Sequence, residues 1–567
     1  MLHVLRDYAF VGDGERGALI GPHGDFAWMC FPSWESPPVF SGLLGGPGAY
    51  VVCPVAERRV WGGYYEDGGL VWRSRWVVPD GVVECHEALC RPADAGRAVV
   101  LRRIRGVQGT VAVRVRFGLG GDHRLRREDG AWRGDADGLY FRWTGAPENA
   151  AGWPLAFEID VREGETHDLV LELSNRPLDG RPEPPDRLWQ RTQDDWKARI
   201  PDCSDTFAPR DARLAYGVMI GLTSAHGGMA AAATTSLPEH LAGTRNYDYR
   251  YAWIRDQCIA GQAVAAHGGH FGLLDAATGF VADRLIEDGA HLTPAYTVSG
   301  GRVPDESPAG LPGYPGSRAV YGNHVTSQFQ LDAFGEALLL FAAAARHDRV
   351  DARIADAAMR AVRAIEERWH EDDYGIWETE PAQWTHSRLV CVAGLRCAAA
   401  SLAAQKDKAE WEALADHIQA ETATSALDGQ GYWRRAPDDK RVDAALLLPA
   451  LRGAYPPDAD HAVATYRKIR DELEQEGFVY RYRLADEPLG EAEGSFTLCG
   501  FMMSLADLQQ GDRERAQGRF ERARSACGET GLFAEEYDVR QRQVRGNLPQ
   551  AFVHALFLEA ATRLAAP

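Results

Sequence analysis

The chain has 567 residues, 45% hydrophobic and 25% charged, which fits a soluble globular protein of two or three domains. Lys and Arg number 62 against 81 Asp and Glu, a formal net charge of −19 that argues against a nucleic-acid or anionic-membrane partner and leaves a neutral substrate open. The ten cysteines show no Cys-x-x-Cys pair and no ligand-like spacing with His, so no metal site, cofactor or disulfide framework is read.

The start, Met1-Leu2-His3-Val4-Leu5-Arg6-Asp7, lacks the apolar core of a secretory signal, and the longest apolar run, 337–345, is about half a bilayer span. A reduced, cytoplasmic protein is the default, and the sequence is compatible with a monomer or a homo-oligomer. Residues 1–180 read as an antiparallel β-sandwich. Val111, Val113, Val115 and Phe117 alternate with Ala112, Arg114 and Arg116, the period of a half-buried strand. Leu169, Leu171 and Leu173 repeat the pattern, as do Leu139, Phe141 and Trp143. Turn clusters at Gly120-Gly121-Asp122 and Asp135-Ala136-Asp137-Gly138 separate them. Residues 181–210 read as a Pro-rich linker followed by a helix over 186–200, with Trp189 and Trp196 on one face.

From 211 to 567 the periodicity is helical. Twelve segments are expected at 211–225, 254–268, 271–287, 324–347, 351–369, 385–404, 407–424, 441–450, 458–475, 496–509, 512–527 and 548–565. Short and long links alternate, so six hairpins would place every long loop at one end. Such hairpins close into a double-layered barrel or stack openly; periodicity does not choose between them.

Three of those long loops carry the chemistry. The first contains Asn246-Tyr247-Asp248-Tyr249-Arg250-Tyr251-Ala252-Trp253-Ile254-Arg255-Asp256, flat rings beside charged forks, which suits a sugar with apolar ring faces and a hydroxyl rim. The second contains Gly375-Ile376-Trp377-Glu378-Thr379-Glu380, and the third Gly531-Leu532-Phe533-Ala534-Glu535-Glu536-Tyr537-Asp538. Two carboxylates across a sugar-sized cleft are what acid–base cleavage of a glycosidic bond requires. Trp377 beside Glu378 would supply an apolar wall that raises its pKa. A helix beginning just after Glu535 would favour its ionised form, with Glu536 as its hydrogen-bonding neighbour. Glu371-Asp372-Asp373, the nearest thing to the Asp-rich motif of an isoprenoid cyclase, reads as a solvated turn.

Together these motifs resemble the family-15 glycoside hydrolases, the group of glucoamylases, glucodextranases and bacterial trehalases. Thr385-His386-Ser387, Gly546-Asn547-Leu548-Pro549-Gln550-Ala551-Phe552, Asp7-Tyr8-Ala9, Gly21-Pro22-His23-Gly24-Asp25-Phe26-Ala27-Trp28 and Leu311-Pro312-Gly313-Tyr314 extend the resemblance over essentially the whole chain. It implies an N-terminal β-sandwich followed by an (α/α)6 barrel, and an exo-acting, inverting hydrolase of α-glucosides; no motif marks a cofactor, and a need for phosphate or a divalent ion stays open for a trehalase of the family. It implies Glu378 as general acid and Glu535 as general base, Arg255 and Asp256 gripping hydroxyls of the terminal glucose, and Trp253 and Trp377 as pocket walls. Tyr247, Ala252 and Arg388 depart from residues common in bacterial members, and Glu380 stands where Arg is frequent. That departure implies a changed leaving-group side. A glucoamylase- or isomaltose-type activity is the first reading, a trehalase the alternative, and a non-catalytic carbohydrate-binding protein the reading of another class.

Overall fold

Strand alternation builds the first domain. The structure is a computed structural model describing residues 2–121, 123–136, 138–240, 245–484 and 487–566; the turn positions Asp122 and Asp137 lie outside the described residues. The strand Arg97–Gly118 is long enough to serve two layers. Its first half pairs antiparallel with Gly81–Leu89 and Thr166–Ser174, its second half with Ala49–Pro54 and Leu155–Arg162. Val111, Val113, Val115 and Phe117 turn into the core as the alternation predicts, and meet Phe141, Trp143, Leu169, Leu171 and Leu173 there.

A second sheet of four short strands (Ala9–Gly12, Gly17–Ile20, Phe26–Cys30 and Pro38–Phe40) is buried on both faces. Ala9, Val11, Ala18 and Ile20 face the sandwich core, while Phe10, Leu19, Trp28 and Cys30 face the core of the helical domain. This sheet is therefore a shared wall between the two domains.

Helix α1 (Pro185–Arg199) crosses between the domains with Trp189 and Trp196 buried. The helical domain runs α2 (Pro209–Leu222), α3 (Ile254–His267), α4 (Gly272–Asp288), α5 (Asp332–Ala345), α6 (Ala352–Arg368), α7 (Thr385–Ser401), α8 (Gln405–Ala426), α9 (Leu448–Leu451, led in by the 3-10 turn Ala444–Leu447), α10 (Asp460–Leu473), α11 (Thr497–Gln509), α12 (Arg513–Arg524) and α13 (Ala551–Ala565). Contacts run α3–α5–α7–α9–α11–α13 and back to α3, so the inner ring closes. The others pack outside it as an (α/α)6 barrel. Composition explains the layering: α5 is buried on every face, whereas the outer α6 buries a stripe of Ile354, Ala357, Ala358, Ala361, Val362, Ala364 and Ile365. Inner helices also cross closely. A Cβ on Gly335 would lie 2.7 Å from the Cys391 backbone nitrogen, so only glycine lets α5 and α7 meet there.

Every long connection precedes an inner helix, so these connections gather at one end of the barrel. The segment expected as one helix over 324–347 is interrupted: His324–Ser327 is a 3-10 turn, and α5 begins only at Asp332. Residues 328–331 lie outside the helix, where Gln330 bonds to Arg255 and Glu378 and Gln328 accepts from Gln330. Among the described residues no helix is long and apolar enough to cross a membrane.

Candidate active site

At the loop end of the barrel is a cavity of about 320 Å³, lined by Trp253, Arg255 and Asp256, by Trp377 and Glu378, and by Glu535, among others. Its size lies at the lower end for small-molecule sites. Residues from five of the long connections thus converge, and both sequence-selected carboxylates face one space.

The loop carrying Glu378 is shaped by Asp373. Its Oδ1 accepts from the Gly375 amide at 2.7 Å and from the Ser387 hydroxyl at 2.9 Å, so Asp373 is a buried loop organiser rather than part of a solvated turn. Gly375 has φ 64° and packs against Trp384, where a side chain would clash. Glu378 itself sits at φ 54°, a strained conformation of the kind that persists at functional sites. Three donors converge on its Oε1: Trp253 Nε1 at 2.7 Å, Gln330 Nε2 at 3.0 Å and Arg255 Nη2 at 3.1 Å. Arg255 is fixed in turn by Gln330 Oε1 at 2.7 Å and by the fully buried Asp332 at 3.2 Å.

The expected apolar wall is not what surrounds Glu378. The Trp377 indole does line the cavity, but its Nε1 donates to Asp443 at 2.8 Å and its ring packs on Phe496. The carboxyl that burial pushes well up is Glu535, where the nearby Glu239 adds to the shift and Arg481 opposes it. Nor does Glu535 sit at a helix start. The strand Glu536–Asp538 follows it, paired with Ser495–Phe496 and Gln543–Arg545, and α13 begins only at Ala551. Asp256, in the first turn of α3, is pushed up to about 7 by burial, opposed by Arg255 and reinforced by Glu378.

Two predicted residues fall outside the lining. Glu536 is buried behind it, its Oε2 accepting from the Gly494 amide at 2.8 Å, because strand alternation turns it away from Glu535. Glu380 is exposed; the cavity wall ends at Thr379, and the Glu380 carbonyl accepts from Trp384 Nε1 at 3.1 Å.

The aromatic loop is held from behind by the first domain. Arg250 is fully buried, forks onto Asp248 at 2.7 and 2.8 Å, and donates to the carbonyls of Trp34 and Ser36, both at 3.0 Å. Trp28 Nε1 donates to the Ala233 carbonyl at 3.0 Å. Asn547 Nδ2 clamps the Tyr247 carbonyl at 2.8 Å, tying the third loop to the first. The Tyr249 ring meets Trp253 edge-on at 5.5 Å, and its hydroxyl reaches Glu535 Oε2 at 3.1 Å, so one aromatic pair links the two carboxylates.

The sequence profile of Glycosyl hydrolases family 15 matches residues 217–562, and that of the trehalase-like N-terminal domain matches residues 4–125. The chain belongs to glycosyl hydrolase family 15. It is 31% identical to a trehalase of Mycobacterium tuberculosis over 99% of this chain and 89% of the relative. It is 30% identical to a trehalase of Mycolicibacterium smegmatis over 99% and 91%. A crystal structure of a bacterial glucoamylase complexed with acarbose superposes with a TM-score of 0.71 at 12% identity, covering 100% of this chain and 97% of that one. This family 15 hydrolase therefore has the glucoamylase fold, while its whole-length sequence relatives carry the trehalase name.

Other lining residues of this family 15 site gave little signal in the sequence. Glu239 and Arg481 lie in loops without patterned neighbours, and Gln330, which stands behind the lining and donates to Glu378, falls inside an expected helix. Gln328-Phe329-Gln330-Leu331-Asp332 is part of the family resemblance, and its polarity is a second clue, since Gln328, Gln330 and Asp332 interrupt an apolar stretch and all three are buried.

Proposed function

We propose that the protein is a trehalase that cleaves the glycosidic bond of trehalose by acid–base hydrolysis with inversion. The observation that carries this is the likeness to named trehalases along 99% of the chain, together with both carboxylates on one small cavity. The sequence reading ranked a glucoamylase- or isomaltose-type activity first; these relatives favour its alternative instead. A cavity of this size suits a disaccharide better than an open cleft for a polymer.

In this reading Glu378 protonates the glycosidic oxygen. Three donors occupy its Oε1, so the transferable proton sits on Oε2. Glu535 takes a proton from water as the water oxygen attacks the anomeric carbon from the opposite face. Burial gives Glu535 a high proton affinity, which suits a base once it is ionised. Arg255 and Asp256 hold ring hydroxyls, and Trp253 and Trp377 wall the sugar. Inversion releases one glucose as the β anomer, while the leaving glucose keeps its α configuration.

The test is hydrolysis of trehalose, maltose and isomaltose followed by NMR of the anomers before mutarotation. Trehalose should be cleaved at least about tenfold faster by kcat/KM, with β- and α-glucose appearing in equal amounts. Faster cleavage of maltose or isomaltose returns the glucoamylase- or isomaltose-type reading, and α-glucose alone contradicts inversion.

A further inference from the structure

The wall around Glu535 holds more acid than a two-carboxylate reaction uses. Glu239, Glu493, Glu535 and Glu536 are all buried together, facing the guanidiniums of Arg481 and Arg245. Both guanidiniums are already committed to Glu493: Arg481 through Nε and Nη2 at 2.9 and 2.6 Å, and Arg245 at 3.0 Å. Tyr247 and Tyr249 also face Glu239, Asp256 adds negative charge beside Glu535, and Glu378 acts on Tyr249. Ionising Glu239, Glu535 and Glu536 together would set like charges side by side among largely buried groups.

One hydroxyl decides where a proton must be. The Tyr249 oxygen lies 3.2 Å from Glu239 Oε1 and 3.1 Å from Glu535 Oε2. A phenol has one hydrogen to donate, so it can satisfy only one carboxylate. The other contact is a hydrogen bond only when that second carboxyl is protonated and donates to the phenol oxygen. The geometry therefore calls for one proton across two carboxyls. Burial raises both groups, and it raises Glu535 strongly, so the base needs a neighbour able to relieve it of that proton.

We propose that Glu239 is the positioning residue of the base: it takes the shared proton through the Tyr249 hydroxyl, leaving Glu535 ionised and aimed at the water. In this transfer the Glu535 proton passes to the Tyr249 oxygen while the phenol hydrogen passes to Glu239. The tyrosine is unchanged, Glu239 becomes neutral and Glu535 becomes the carboxylate. Glu239 then donates to the phenol oxygen, and the phenol hydrogen points at Glu535 Oε2. The inference rests on the reading of Glu535 as the base of the proposed reaction.

The experiment uses Glu239→Gln, whose amide imitates the protonated acid, in two measurements. Infrared spectra of the unliganded protein near neutral pH should lose intensity in the protonated-carboxyl band relative to wild type. The acid limb of kcat/KM, read on whichever α-glucoside is cleaved, should stay within about half a pH unit of wild type with KM unchanged, because the amide keeps the neutral, donating neighbour that Glu239 becomes when Glu535 is ionised. Tyr249→Phe removes the transfer path and should move the same limb upward. An unaltered infrared band overturns the shared proton. An acid limb lowered by about one unit in Glu239→Gln shows an ionised Glu239 beside Glu535 and overturns the positioning role, as does a raised KM or an unmoved limb in Tyr249→Phe. Failure to cleave trehalose would bear only on the substrate, since the band needs none.

Discussion

The two walls of the cavity hold the same functional group in opposite surroundings. Around Glu378 the neighbours are donors: an indole N–H, an amide and a guanidinium meet one carboxylate oxygen. Around Glu535 the neighbours are acids, with Glu239 and Glu536 close by and the available arginines engaged with Glu493. One carboxyl is met by donors, and the other is raised by burial beside another acid. Two glutamates of the same chemistry therefore sit in different surroundings, because the loops around them differ.

The largest expected effect removes either side of that contrast. Glu378→Gln and Glu535→Gln should each lower kcat by about a hundred- to ten-thousandfold with the fold intact, read by steady-state kinetics beside circular dichroism. A loss confined to one variant would break the pairing of the walls.

Next comes the support behind the donor wall. Arg250→Ala leaves Asp248 buried without its partner and releases the carbonyls of Trp34 and Ser36. It should cost about 3–5 kcal/mol in denaturant unfolding and lower kcat/KM although Arg250 does not line the cavity. Unchanged activity would mean the first domain does not position the aromatic loop.

Trp253→Phe deletes a single donor to Glu378 and keeps the ring. It should lower kcat by about tenfold, the scale of a hydrogen bond to a charged group. The smallest effect belongs to Glu380. Exposed beyond the lining, Glu380→Arg should change stability by less than about 0.5 kcal/mol and leave relative rates on different disaccharides unchanged. A shift in those rates would extend the site past Thr379.

Much of the architecture was legible along the chain. The alternation at Val111, Val113, Val115 and Phe117 gave a half-buried strand, and the apolar periodicity gave the helices, because burial imposes a period on each. Helix ends were less legible. The expected 324–347 helix ran through Gln328 and Gln330 because helical spacing does not reveal that a polar side chain is wanted elsewhere. The adjacent glutamates were told apart only by the family resemblance; in the structure Glu535 reaches the cavity and Glu536 turns away, since strand alternation sends neighbours to opposite faces.

The sequence by itself determined a strand-rich first part, helical hairpins with their long loops at one end, and the loops bearing Glu378 and Glu535, since local periodicity and loop length are written in the chain, whereas closure of the ring shows only in the packing of α13 on α3. Only the tertiary structure decided which acid is surrounded by donors and which by other acids. That depends on Gln330, Glu239 and Arg481 arriving from distant loops. Electrostatic environment is a property of what folding brings within a few ångströms, and no spacing along the chain encodes it.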